Sequence, residues 1–224
     1  MGFNVQRSKD MDYLYGALTS GVAQVLSGGK IPQMSPEQAA GLLGSWIVET
    51  GKADLTGLDV VERGNNNAGR GLSQYTGVRR GPYDRAREKA IAQGKDPNSA
   101  QWQLQYFVEE YTGKHDPAPG RSLIGWTRQF ENAPKSGTPE GFADYYTGSA
   151  ASGKGYFRPG IPHTDKRQDA ARQVYQIYKG VDATQKAPEP SVKQKVAKVT
   201  DMTPMAAQKG TQTPMVALSI PTSN

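Results

Sequence analysis

Glu49 is the residue around which chemistry can be built, because an acid stands where the surrounding sequence is otherwise small or apolar. The stretch from Ser35 to Gly51 reads as one helix with both ends marked. Ser35 suits the N-cap, Pro36 the first helical position, and Gln38 completes a capping box. Gly51 supplies a left-handed stop. Between them Ala39, Ala40, Leu42, Leu43, Trp46, Ile47 and Val48 leave no polar face, which predicts a central, buried helix. Glu49 then falls in the last turn, where the negative end of the helix dipole disfavours a carboxylate by about 0.3–1 kcal/mol. Dipole and desolvation both push its pKa upward, toward a proton donor at neutral pH. The plainer alternative is that Glu49 points into solvent as the helix emerges. The next carboxylates in sequence are Asp54, Asp59 and Glu62, the last thirteen residues on.

Composition removes several kinds of chemistry. With no cysteine, thiol nucleophiles, disulfides and Cys-ligated zinc are excluded. His115 and His163 lie in no metal-binding cluster and read as surface residues; no metal and no cofactor are expected. No run is long and apolar enough to span a bilayer, and no secretory leader pattern opens the chain, so a soluble protein is expected. The net charge of +6 suits nucleic acid, an anionic membrane or an acidic polymer such as a cell wall. No stretch interleaves basic and aromatic residues as a nucleic-acid groove would, so no nucleic-acid partner is expected.

The elements that must position Glu49 follow from the rest of the chain. Residues 1–9 are polar and read as a loose N-terminus; residues 10–180 read as one domain. Asp10 to Leu26 has helical spacing, interrupted near Ser20-Gly21, and should pack on the Glu49 helix. The region from Leu58 to Tyr75, with turn-forming Gly64-Asn65-Asn66-Asn67, predicts a small irregular β-hairpin walling one side of a cleft floored by the end of that helix. Further helices are predicted over Val78–Gln93, Asn98–Thr112 with Trp102 and Tyr106, Ser122–Asn132 with Trp126, Thr138–Thr147, and Asp165–Lys179. Ser149 to Gly155 reads as a flexible loop, and Tyr156 to Pro162 as an extended segment stiffened by two prolines.

Beyond Tyr178 there is no aromatic residue, and residues 182–224 carry five basic against three acidic side chains amid Pro, Gln, Thr and Ala. This composition cannot bury enough to fold alone, so 181–224 is expected to be an extended or disordered arm. Thr203-Pro204-Met205-Ala206-Ala207 and Thr213-Pro214-Met215-Val216-Ala217 repeat ten residues apart. They suit either beads that bind along a partner or a chance repeat in biased sequence.

Four segments taken in order resemble the phage tail lysozyme family, over about residues 10 to 178. They are the Ala39-Ala40-Gly41 helix ending in Glu49-Thr50-Gly51, then Gly71-Leu72-Ser73-Gln74-Tyr75-Thr76-Gly77-Val78-Arg79-Arg80, then the Trp102 to Leu104 helix, then Arg158-Pro159-Gly160. Thr50 stands where the family usually has Ser, Tyr75 where it has Trp, and Phe157 where an acid often precedes the late Arg-Pro. The last departure touches either a substrate contact or a structural ion pair.

The resemblance implies a lysozyme-like α+β fold, predominantly helical, with Glu49 as the acid that protonates a glycosidic oxygen of peptidoglycan. It also implies that Gln74 and Tyr75 line the saccharide groove, the amide bonding hydroxyls and the ring stacking on a sugar; structurally, the pair can equally anchor a hairpin. Arg80, closing the same motif, is a further candidate substrate contact. A glycosidase of the common kind needs a second carboxylate, about 5 Å away for retention or about 6.5–9.5 Å for inversion. Glu62 is the candidate, in a hairpin that can reach across the cleft; it can also simply pair with Arg63 or Arg80. Without a second carboxylate, Glu49 serves alone in a lytic transglycosylase that leaves an anhydro-sugar. A virion structural protein that keeps only the fold is the non-enzymatic alternative. The resemblance implies a phage protein acting on the host wall, either borne in the virion or released as a free endolysin, and the arm at 182–224 suits a tether to other virion proteins better than a wall-binding module.

Overall fold

The computed structural model describes residues 2–62, 68–115, 128–148, 155–157, 159 and 161–180. Among the described residues the chain is predominantly helical: α1 (Lys9–Thr19), α2 (Val22–Leu26), α3 (Pro36–Thr50), α4 (Arg80–Ala92), α5 (Ala100–Tyr111), α6 (Pro139–Thr147) and α7 (Thr164–Tyr178). Helix α3 begins as its sequence directs. The Ser35 hydroxyl accepts from the Gln38 amide, the Gln38 side chain accepts in return from the Ser35 amide, and Gly51 closes the helix at φ +66°.

Helix α3 is central. Leu42, Leu43, Trp46 and Ile47 are fully buried, and α1, α6 and α7 pack around them. Trp46 meets Phe107 of α5 edge-on, with ring centroids 5.2 Å apart. Two glycines let α6 and α7 come close. A Cβ on Gly41 would lie 2.5 Å from the Phe142 Cβ, and one on Gly44 would lie 2.5 Å from the Ala171 amide nitrogen and 2.6 Å from its Cα. At Gly44 the obstacle is the backbone of α7, which cannot turn aside as a side chain can.

Several sequence expectations are corrected. Residues 2–8, expected to be loose, are held: Val5 donates to Gln173, Gln173 donates to the Phe3 carbonyl, Gln6 donates to the Ala53 carbonyl, and Ser8 caps α1. The hairpin region contains only two isolated antiparallel bridges, Val61 with Arg70 and Arg70 with Tyr75; its turn at 63–67 lies outside the described residues. Of the helix expected over Ser122–Asn132, 128–132 are turn, and 122–127 with Trp126 lie outside the described residues. The loop at 149–154, Arg158, Gly160 and the arm at 181–224 also lie outside them. His115, expected at the surface, is part-buried, stacked on Tyr106 and bonded to Glu109. No helix among the described residues is long and apolar enough to cross a membrane.

Gly44→Ala is expected to destabilise the fold by about 1–3 kcal/mol, the usual range for overpacking a filled core. At about 2–4 °C per kcal/mol for a domain of this size, thermal unfolding reads the loss directly. An unchanged melting temperature would contradict the α3–α7 packing.

Candidate active site

Glu49 stands in the last turn of α3 with its side chain 12 % exposed. Its Oε1 accepts from Arg167 Nη2 at 2.6 Å, while Oε2 has no partner among the described residues. Arg167 comes from the first turn of α7 and is itself 2 % exposed. Its other two nitrogens each find a carbonyl: Nε reaches that of Pro162 at 2.7 Å and Nη1 that of Ser45 at 3.1 Å. The Phe157 ring covers the guanidinium at 5.5 Å, so the residue that replaces an expected acid meets the cation as an aromatic face. Three backbone and side-chain acceptors thus fix a buried charge against one oxygen of the acid.

Burial is the largest influence on Glu49 and raises its pKa; Arg167 and, more weakly, Arg79 pull it down, and the Glu62 charge pushes it up again. The net direction is upward, as the helix-end placement anticipates.

Glu62 is exposed, and its charge is the weakest of the influences that raise the Glu49 pKa. Its amide donates to the Gly69 carbonyl at 2.8 Å and its Oε2 accepts from the Gly69 amide at 3.2 Å, which fixes it to the opposite strand. The rival carboxylates are committed elsewhere. Asp59 binds Arg70, Arg87 and Tyr83, and these bonds hold its carboxyl below the usual range against the opposing effect of burial. Asp54 accepts from the Thr56 amide and hydroxyl in a local turn.

The three expected saccharide contacts lie behind this surface. Tyr75 is fully buried, stacked on Tyr83 at 4.8 Å and edge-on to Tyr106 at 4.9 Å, so its ring has no free face for a sugar. Burial drives its phenol well above the ordinary value. Gln74 is 9 % exposed and sits in the left-handed region at φ +44°, a costly place for a residue with a side chain. Its amide nitrogen ties the Gly71 and Val60 carbonyls, and Gly69 packs so closely that a Cβ there would lie 2.6 Å from Gln74 Oε1. Gln74 therefore braces the strand that carries Gly69. Arg80 pairs with Asp84 at 2.7 Å and bonds the Ala68 carbonyl, bracing the same strand. All three support the wall on which Glu62 is held.

A second buried charge pair underlies the site. Arg79 and Glu110 make a two-bond pair, with Arg79 Nη2 to Oε2 at 2.8 Å, and Tyr156 joins both through its hydroxyl. Burial opposes the Arg79 charge, yet Glu110 holds its pKa well above the usual value. Arg167, Glu110 and Tyr156 were not singled out in the sequence. Arg167 is the fourth residue of α7 in a polar stretch of sequence, and only the fold turns it inward.

Glu110→Gln is expected to destabilise the protein by about 3–5 kcal/mol, because it leaves Arg79 buried without a counter-charge. Denaturant unfolding measures this; a loss under about 1 kcal/mol, the range of an exposed pair, would contradict the pairing.

In a comparison with known families, the model of the phage tail lysozyme family matches residues 23–178 of the 224. Comparison with curated proteins finds no match. The matched span contains Glu49, Glu62, Gln74, Arg79 and Arg167, and covers every described helix except α1 and the first residue of α2. The chain belongs to the phage tail lysozyme family.

Proposed function

We propose that the protein is a virion-associated peptidoglycan glycosidase of the muramidase type, opening the host wall locally during infection, with Glu49 as the proton donor to the glycosidic oxygen. One observation carries the reading: a carboxyl buried in the last turn of a buried helix, one oxygen clamped by Arg167 and the other without a partner among the described residues, with burial acting to raise its pKa. As the sugar–oxygen bond lengthens, the Oε2 proton passes to the leaving oxygen, and the resulting carboxylate is stabilised by the Arg167 guanidinium already in place. Glu62, the candidate second carboxylate, activates water from the far side or stabilises the oxocarbenium-like transition state. If Glu62 takes no part, Glu49 acts first as acid and then as base, and the sugar closes on its own hydroxyl to leave an anhydro end. The composition of residues 182–224 supports a tether to other virion proteins.

Mass spectrometry of muropeptides released from purified peptidoglycan separates these outcomes. Glu49→Gln is expected to lower release about 100-fold or more, the lower range for loss of a general acid. Reducing-end products that are lost in Glu62→Gln would support the hydrolase, and anhydro products unaffected by Glu62→Gln the transglycosylase. Wild-type rates from Glu49→Gln would sink the assignment of Glu49, and no product from wild type on walls of several bacteria would favour a structural role. Deletion of 182–224 is expected to leave cleavage intact and abolish incorporation into particles; co-purification of the truncated protein with virions would overturn the tether.

A further inference from the structure

A cleft of about 550 Å³ lies between α4 and α5. None of its lining residues bonds or pairs with Glu49, Glu62 or Arg167. Its origin is a mismatch of side-chain size. Helix α4 presents Ala86 and Ala90 along one face, and α5 presents Trp102 and Tyr106 opposite, so the small residues leave space the rings do not fill. The rings form a near-parallel series: Trp102 on Tyr106 at 5.7 Å and 21°, Tyr106 on His115 at 4.7 Å and 20°. Trp102 is only part-buried. Glu109 fixes the end of the wall by accepting from Gln105, Lys114 and His115, bonds that hold its carboxyl down to about 2 although burial acts the other way.

The charge of this cleft is one-sided. Arg85, Lys89, Lys95 and Lys114 line it against the single carboxylate of Glu109. Arg85, Lys89 and Lys95 are exposed and have no acidic partner among the described residues. The contrast within the molecule is informative. Of the nine arginines among the described residues, eight are ion-paired, and Arg85 is the one that is not. Arg85 and Lys89 stand one helical turn apart on the same face, directed at one groove. No single stretch of sequence interleaves basic and aromatic residues, but the fold sets the cations of α4 against the rings of α5.

From this cleft we propose a second binding site, for an anionic saccharide strand, which holds peptidoglycan away from the bond being cleaved. A part-buried indole suits the apolar face of a pyranose ring, Gln93 and Gln105 suit its hydroxyls, and Arg85, Lys89 and Lys95, without an acidic partner among the described residues, suit the carboxylates of its stem peptides. The inference rests on the reading of the protein as a wall-cleaving enzyme, and commits the cleft to peptidoglycan as occupant. The site raises the residence time of the enzyme on an insoluble wall without entering the chemical step.

The test uses the full chain carrying Glu49→Gln, which cannot digest its ligand, with and without Arg85→Glu and Lys89→Glu. Retention on sacculi stripped of teichoic acid is measured by co-sedimentation over a salt series. The charge reversals are expected to weaken retention about tenfold at low salt, with the difference closing as salt rises. With Glu49 intact, the same reversals are expected to leave cleavage of short soluble muropeptide oligomers within about twofold of wild type, since both residues are exposed and neither bonds to Glu49, Glu62 or Arg167. Equal retention with and without the reversals would overturn the proposal. Retention only on walls that still carry teichoic acid, or tighter binding of a single-stranded oligonucleotide than of stripped sacculi, would also overturn it, by giving the cleft a different polyanion. Failure of wild type to cleave any wall would instead count against the enzymatic reading, and the sedimentation comparison would still decide the cleft.

Discussion

The close approach of α3 and α7 at Gly44 is the constraint on which the site depends. With no Cβ at Gly44, the backbone of α7 at Ala171 can lie against α3, and Arg167, one turn earlier on α7, falls beside the Ser45 carbonyl and Glu49. A buried guanidinium must find acceptors in nearly every donor direction, since each unmet donor forfeits its hydration. Ser45, Pro162 and Glu49 meet that need, so the need also fixes the stretch entering α7. Packing and acid placement are therefore one problem with one solution.

The two buried ion pairs use the same components to opposite ends. Arg79 and Glu110 satisfy each other doubly and are sealed by the rings of Tyr75 and Tyr156, each 4.9 Å from the guanidinium. That pair is closed, and its contribution is to be costly to break. Arg167 bonds only one oxygen of Glu49, and the other has no partner among the described residues. An acid so placed is held in position while burial raises its pKa, and in the proposed mechanism the cation would stabilise the carboxylate formed on proton transfer.

What was legible in the sequence is what depends on neighbours along the chain. The cap at Ser35, the stop at Gly51, the break at Gly21 and the apolar girth of α3 are local and were readable. So was Glu49 as an acid at a buried helix end. Tyr75 was not, because its partners Tyr83 and Tyr106 come from two other helices, and only their convergence removes its ring from the surface. Arg167 looks like any surface cation in a polar helix until Gly44 admits α7. The N-terminal residues read as loose because Gln173, which holds them, is more than 160 positions away. The cleft between α4 and α5 was illegible for the same reason, its charge and its rings lying on different elements.

The pH dependence of kcat/KM on a soluble muropeptide substrate, compared between wild type and Arg167→Gln, tests most directly the claim that Glu49 works as a proton donor held by Arg167. Arg167 lowers the Glu49 pKa, so its removal raises it, and an acid that must be protonated then stays active to higher pH. The alkaline limb of the profile is expected to move to higher pH in Arg167→Gln, with the maximal rate reduced by loss of the clamp. A limb that stays in place or moves to lower pH would contradict the claim.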